Sequence, residues 1–225
     1  MIGFAVRPVR RRVSAKLIER YRGLPVANAS DCMSRAAAAG PRLRPMHAGG
    51  YLAGPAFTVK TRPGGNLMVH KALDMAEPGD VVVVDAGGDL TNAIVGEIMI
   101  AYARSRGIAG LVINGSIRDS ATVRQEDYPV FAAGITHRGP YRDGPGEIGC
   151  AIAIDGMVFE PGDLVIGDDD GLLAIPYGAA EAVLDAALKK REAEEKIYAK
   201  VLAGEGLDRT WLDAALKQLG VPTHD

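Results

Sequence analysis

Most common chemistries are missing from this chain. Only two of its 225 residues are cysteine, Cys32 and Cys150, and they stand far apart outside any Cys-x-x-Cys pair, which speaks against a zinc knuckle and a disulfide framework alike. The four histidines, His47, His70, His137 and His224, have no ligand spacing, and there is no His-Glu-x-x-His. Neither a Gly-x-Gly-x-x-Gly fingerprint nor a Walker-type phosphate loop occurs, which removes the usual dinucleotide and nucleoside-triphosphate signatures. No Gly-x-Ser-x-Gly elbow supports a serine nucleophile. Basic and acidic side chains nearly cancel, 26 Lys+Arg against 28 Asp+Glu, so a nucleic-acid partner, which would demand clustered positive charge, is not expected. No stretch approaches the roughly 18 uncharged apolar residues of a membrane span. The start, with Arg10, Arg11 and Arg12, lacks the apolar run of a signal peptide. The expectation is a cytoplasmic protein with no membrane partner.

Against these absences stand 48% hydrophobic and 24% charged residues, the balance of an ordinary globular domain. Ser14 can cap a short helix to about Arg22, and Asn28-Ala-Ser-Asp31 offers caps for a second helix through Ala36–Ala39, stopped by Gly40-Pro41. Tyr51 to Lys60 reads as a strand and Asn66 to Ala76 as a helix. The turn Glu77-Pro-Gly-Asp80 leads into Val81-Val-Val-Val84, a β-branched run suited to burial on both faces of a sheet. A loop, Asp85-Ala-Gly-Gly-Asp89, precedes an expected helix from about Thr91 to Arg106, and Leu111-Val-Ile113 forms the next buried strand. This is a βαβ signal. A strand is expected over Tyr128 to Ala133. Ala151–Ile154 and Met157–Phe159 form a hairpin through Asp155-Gly156. Glu160-Pro-Gly-Asp163 repeats the earlier turn chemistry, and Leu164–Ile166 and Leu172–Ile175 flank the acidic turn Gly167–Gly171. A helix of about 25 residues from Gly178 and another near Leu207–Leu219 close the chain. The reading is an α/β domain over 1–177 and a helical extension over 178–225 that is not an independent domain.

Loops beyond the carboxyl ends of strands are where α/β sheets place ligands. Asn114-Gly-Ser-Ile-Arg-Asp119 is such a loop, and Glu97 precedes Arg118 with twenty residues between them on the helix after the preceding strand. Two readings fit the spacing: a polar site built from two strand ends, or a helix cap with surface ion pairs around Arg118 and Asp119.

Gly96-Glu97, the twenty-residue interval, Arg118-Asp119, Val-Val-Asp85-Ala-Gly-Gly88 and Gly167-Asp-x-Asp-Gly171 together resemble a family that joins two groups. One comprises the class II 4-hydroxy-4-methyl-2-oxoglutarate and 4-carboxy-4-hydroxy-2-oxoadipate aldolases; the other is the regulator of ribonuclease E activity, RraA. The resemblance runs from about Asn28 to Pro176. It implies an RraA-like swivelling β/β/α fold, a homotrimer or homohexamer, and a site between subunits. It further implies Mg²⁺ or Mn²⁺ on Asp119, the keto oxygen of a small 2-oxo acid on Arg118, and a water on Glu97, where the aldolases usually have Asp. Asn66, Gly96 and the amides of Ile98 and Met99 would receive the pyruvoyl carboxylate.

Such a site would cleave 4-hydroxy-4-methyl-2-oxoglutarate, 4-carboxy-4-hydroxy-2-oxoadipate or oxaloacetate through a pyruvate enolate. The alternative is a non-catalytic regulator that binds ribonuclease E. The intact Glu97, Arg118 and Asp119 set and the helical extension favour the enzyme. Asp168 and Asp170 suit a solvated turn better than a second metal. Arg138, Cys32 and Cys150 read as structural, and Glu192, Glu194 and Glu195 as a solvated helix face, although the aldolases use a C-terminal Glu from a neighbouring subunit.

Overall fold

The computed structural model describes residues 3–34 and 40–221. In chain order the elements are β1 (Phe4–Val6), α1 (Ala15–Tyr21), α2 (Val26–Asp31), β2 (Arg44–Pro45), β3 (Leu52–Thr61), α3 (Leu67–Met75), β4 (Val81–Asp85), β5 (Ala93–Val95), α4 (Glu97–Ser105) and β6 (Gly110–Ile117). They continue as α5 (Ser120–Val123), β7 (Val130–Ile135), β8 (Gly146–Ile148), β9 (Ile152–Ile154), β10 (Met157–Phe159), β11 (Leu164–Asp168), β12 (Gly171–Ile175), α6 (Ala180–Leu202) and α7 (Thr210–Gln218). The chain divides into two units, 1–187 and 188–225.

In the first unit the main sheet runs β1-β8-β3-β4-β6-β7-β2, with β3, β4, β6 and β7 parallel to one another. The four valines of β4 are wholly buried and alternate between two cores. Val82 and Val84 face α3 and α4, beside Leu73, Ile100 and Ala103. Val81 and Val83 face the other way, onto β9 to β12, α1, α2 and the first part of α6. That is the β/β/α layering of the expected class. β3 links the layers, because Leu52–Pro55 pair with β11 while Ala56–Lys60 pair with β4.

The two Glu-Pro-Gly-Asp turns close alike: Asp80 Oδ2 accepts the Glu77 amide at 2.9 Å and Asp163 Oδ2 the Glu160 amide at 3.0 Å. Consecutive arginines hold them. Arg12 donates twice to Asp80, at 2.8 and 3.1 Å, and Arg11 reaches Glu160 and Asp163.

Several expectations need correction. The expected helix over Thr91 to Arg106 is shorter, since Ala93–Val95 is strand and the helix starts at Glu97. Those three residues are drawn into the sheet by the far end of β6, which runs past Asn114 to Ile117 instead of stopping at Ile113. The second helix begins earlier than its cap candidates suggest: Asn28 and Ser30 lie inside α2, whose Val26 amide is capped from a distance by Asp168 Oδ2 at 2.8 Å. The helix expected through Ala36–Ala39 lies outside the described residues, as does His224. The second unit holds the end of α6 and all of α7, with Lys190–Glu194, Arg191–Glu195 and Lys196–Glu192 pairs one helical turn apart. Among the described residues no helix is long and apolar enough to cross a membrane.

Candidate active site

The site is built where β5 meets the end of β6. Ala93 pairs with Ser116 and Val95 with Ile117, and the Arg118 amide donates to the Val95 carbonyl at 3.1 Å. This parallel pairing sets Gly96 against Arg118-Asp119. A Cβ at residue 96 would overlap Asp119 Oδ2 and come within 2.9 Å of Arg118 Cγ, so glycine is what lets both side chains keep these positions. The φ of Gly96 is an ordinary −140° and imposes no such demand. Asp119 does carry backbone strain, with φ at +57° in the left-handed region, a conformation that costs non-glycine residues and concentrates at functional sites. Its Oδ2 accepts the Glu97 amide at 3.1 Å and lies 3.6 Å from Arg118 Nε. Its Oδ1 accepts no hydrogen bond among the described residues. Both side chains remain partly open to solvent, 43% for Arg118 and 36% for Asp119.

Beside this junction lies a cleft of about 290 Å³ lined by Asn66, His70, Gly96, Met99, Arg118 and Arg142, with Ile98 also on its wall. The amides of Ile98 and Met99 belong to the first turn of α4 and so lack intrahelical acceptors. Asn66 is 2% exposed and makes no side-chain cap on α3. Its Nδ2 donates to the Ile94 carbonyl at 3.1 Å, which fixes the amide's orientation and leaves Oδ1 buried without a partner. A buried acceptor in this state favours a ligand or water that brings a donor.

The structure therefore brings Gly96, Glu97, Arg118 and Asp119 into one junction and sets Asn66, Ile98 and Met99 on the adjoining cleft. The Glu97 carboxylate accepts the Thr122 hydroxyl at 2.9 Å. His70 and Arg142 also line the cleft, and sequence reasoning did not single them out. His70 lies on α3, and Arg142 lies in a loop carried to the cleft by backbone bonds between Tyr141 and the Gly64–Asn66 turn. Burial and then the Arg142 charge lower the His70 pKa from its ordinary 6.5, with Asp74 opposing.

The secondary candidates are engaged structurally. Both Asp168 oxygens accept amides, from Val26 and Asp170. The Arg138 carbonyl accepts the Ala93 amide at 2.8 Å, supporting β5. Cys150 is half-buried, and burial raises its thiol pKa. Among the described residues no three His, Cys, Asp or Glu side chains gather as a metal cage. One carboxylate with a free oxygen suits Mg²⁺ or Mn²⁺, hard ions that keep several waters and accept substrate oxygens, better than it suits zinc.

Residues 26–174 match the family model described as RraA-like, Aldolase/RraA. A protein of Halalkalibacterium halodurans, provisionally named a 4-hydroxy-4-methyl-2-oxoglutarate aldolase, is 38% identical over 178 residues, covering 79% of this chain and 85% of that protein. The crystal structure of an uncharacterized protein from Pseudomonas syringae pv. tomato superposes with a TM-score of 0.79 at 25% identity, over 89% of this chain and 98% of the other. The RNA-processing inhibitor RraA from Thermus thermophilis gives 0.62 at 28% identity, over 68% of this chain and 92% of the other. With two thirds of its length inside one family model and these likenesses in sequence and fold, the chain belongs to the Aldolase/RraA family.

Proposed function

We propose that the protein is a divalent-metal-dependent lyase that cleaves a small 2-oxo acid to release pyruvate. The observation that carries this reading is the Asp119 carboxylate, held beside the Glu97 amide and next to Arg118, which lines the cleft, with one oxygen free. The H. halodurans relative's name supports the same class. Asp119 would hold Mg²⁺ or Mn²⁺, which when bound supplies a Lewis acid for the keto group.

The chain's own residues account for the remaining work. First-turn amides of α4, at Ile98 and Met99, receive the pyruvoyl carboxylate, aided by the positive end of the helix dipole. The Arg118 guanidinium faces the keto oxygen, where negative charge develops as the C3–C4 bond breaks. Asn66 Oδ1, as an acceptor, suits a hydroxyl or water and not the carboxylate that its type alone would suggest. A water on Glu97 would take the C4 hydroxyl proton in retro-aldol cleavage and would supply the proton that C3 of the enolate gains. Retro-aldol cleavage yields a second carbonyl compound and decarboxylation yields CO₂; both pass through the same pyruvate enolate, so one site serves 4-hydroxy-4-methyl-2-oxoglutarate, 4-carboxy-4-hydroxy-2-oxoadipate and oxaloacetate. The open position of Arg118 and Asp119 fits assembly into a trimer or hexamer that covers the site.

The test is pyruvate release by purified protein with Mg²⁺ or Mn²⁺ from 4-hydroxy-4-methyl-2-oxoglutarate and from oxaloacetate. The likeness to the Thermus RraA favours a second reading, a non-catalytic regulator that binds ribonuclease E. Binding to that nuclease without turnover of either acid would establish it in place of the lyase.

A further inference from the structure

The cleft beside Asp119 carries more positive charge than a pyruvoyl unit uses. Two guanidinium groups line it, Arg118 and Arg142, and among the described residues no acidic side chain does. Arg118 stands 3.6 Å from Asp119 Oδ2 and has its role at the keto oxygen. Arg142 has none yet. Its guanidinium makes no ion pair or hydrogen bond among the described residues, and the acid next to it in sequence, Asp143, is taken by Arg62 at 2.7 Å. The loop that carries Arg142 is nonetheless fixed. The Tyr141 amide donates to the Gly64 carbonyl at 2.8 Å, and the Tyr141 carbonyl accepts the Asn66 amide at 3.0 Å. The same loop passes Arg118 at Gly139, where an added Cβ would lie 3.5 Å from Arg118 Nη1. From residue 139 to residue 142 the chain can span at most about 10–11 Å, so the two cations face one ligand-sized space. His70 follows Asn66 by one turn of α3, its amide donating to the Asn66 carbonyl at 3.0 Å, and lies close enough to Arg142 to feel its charge.

We infer that Arg142, with His70 beside it, determines specificity by binding a second carboxylate, so that the site takes 2-oxo diacids and discriminates against 2-oxo monoacids. The inference rests on the 2-oxo acid reading above, in which the first carboxylate sits on the α4 amides and the keto oxygen faces Arg118. A planar guanidinium without a protein partner matches a carboxylate through two parallel hydrogen bonds. His70, held neutral near pH 7 by burial and by Arg142, adds a ring N–H donor without a further charge. The second carboxylate then belongs to the fragment that departs when the C3–C4 bond breaks. In retro-aldol cleavage it survives and keeps Arg142 throughout. In oxaloacetate it is itself lost as CO₂, so that substrate gains less from this contact.

The experiment measures, by calorimetry in the presence of Mn²⁺, the affinity of wild type, Arg142→Gln and Arg142→Lys for 2-oxoglutarate and for 2-oxopentanoate, a monoacid of the same length. Wild type should bind the diacid at least about tenfold more tightly, the size of one charge-assisted contact. Arg142→Gln should abolish that preference while changing the affinity for 2-oxopentanoate less than about twofold, and Arg142→Lys should keep part of it. Arg142 is exposed and unpartnered, so its replacement leaves the fold intact. An NMR titration gives a second readout: 2-oxoglutarate should raise the His70 pKa by placing a negative charge beside it, and 2-oxopentanoate should not. Equal affinity of wild type for the two acids would overturn the inference alone. So would an Arg142→Gln protein that loses both acids equally, since Arg142 would then hold the carboxylate they share. Failure of wild type to bind either acid with Mn²⁺ would overturn the 2-oxo acid reading and this inference with it.

Discussion

Replacing Gly96 by Ala isolates the geometry of the site from its chemistry. The added methyl overlaps Asp119 Oδ2 and sits 2.9 Å from Arg118 Cγ and 3.0 Å from Arg118 Nε. Backbone strain plays no part, because φ −140° and ψ −173° are extended values open to any residue. Something must move. Overfilling a closed core costs about 1–3 kcal/mol, but the Asp119 side chain is 36% exposed and can swing into solvent, so stability should fall by less than about 1 kcal/mol. Activity has no such escape, because the displaced carboxylate is the proposed metal ligand and the displaced guanidinium faces the developing charge. Removal of one well-placed electrostatic group typically costs about 10²–10³ in kcat. Thermal melting by circular dichroism, Mn²⁺ calorimetry and pyruvate release under Mg²⁺ separate the two effects. The expected result is a nearly unchanged melting temperature with turnover and Mn²⁺ affinity both down at least about a hundredfold. A Gly96→Ala protein with wild-type turnover and Mn²⁺ binding would refute the packing of Gly96 against Asp119 as the basis of the site.

Arg118→Lys keeps the charge but loses the planar fork, so kcat should fall at least about tenfold with a smaller change in KM, checked by steady-state kinetics; an unchanged kcat would remove Arg118 from catalysis. His70 should titrate below its ordinary 6.5 in an NMR pH series, chiefly from burial, and Arg142→Ala should move it upward by removing a nearby positive charge. Because the folded protein binds this proton less readily than the unfolded chain, the His70 contribution to stability is complete above pH 6.5 and is lost as pH falls through and below that value. Asp80→Ala leaves Arg12 without its bidentate partner and the Glu77 amide uncapped; with Asp80 1% and Arg12 24% exposed, chemical denaturation should show a loss of about 2–4 kcal/mol.

The central βαβ unit was legible because Val81–Val84 are all β-branched and buried on both faces, a pattern that local sequence carries by itself. β5 was not. Ala93–Val95 is three residues long and exists as strand only because Ser116 and Ile117, two dozen residues later, present an open edge to it. That same pairing brings Gly96 to Asp119, so spacing could suggest that Glu97 and Arg118 converge but could not show why residue 96 is glycine. Asp168, with Asp170, read as part of a solvated turn, yet its carboxylate caps α2 from 142 residues away, a contact no local pattern records. Arg142 reached the cleft in the same hidden way, through backbone bonds between Tyr141 and the Gly64–Asn66 turn.

The most direct test of the account measures pyruvate release from oxaloacetate and 4-hydroxy-4-methyl-2-oxoglutarate by wild type and Asp119→Ala, each with Mg²⁺ and after chelation. Asp119 is partly exposed, and alanine at its left-handed φ of +57° costs only about 1–2 kcal/mol, so the variant should fold. The account predicts turnover only by wild type with metal, falling to background on chelation and restored by Mg²⁺ or Mn²⁺. Undiminished turnover by Asp119→Ala, or by thoroughly chelated wild type, would contradict it.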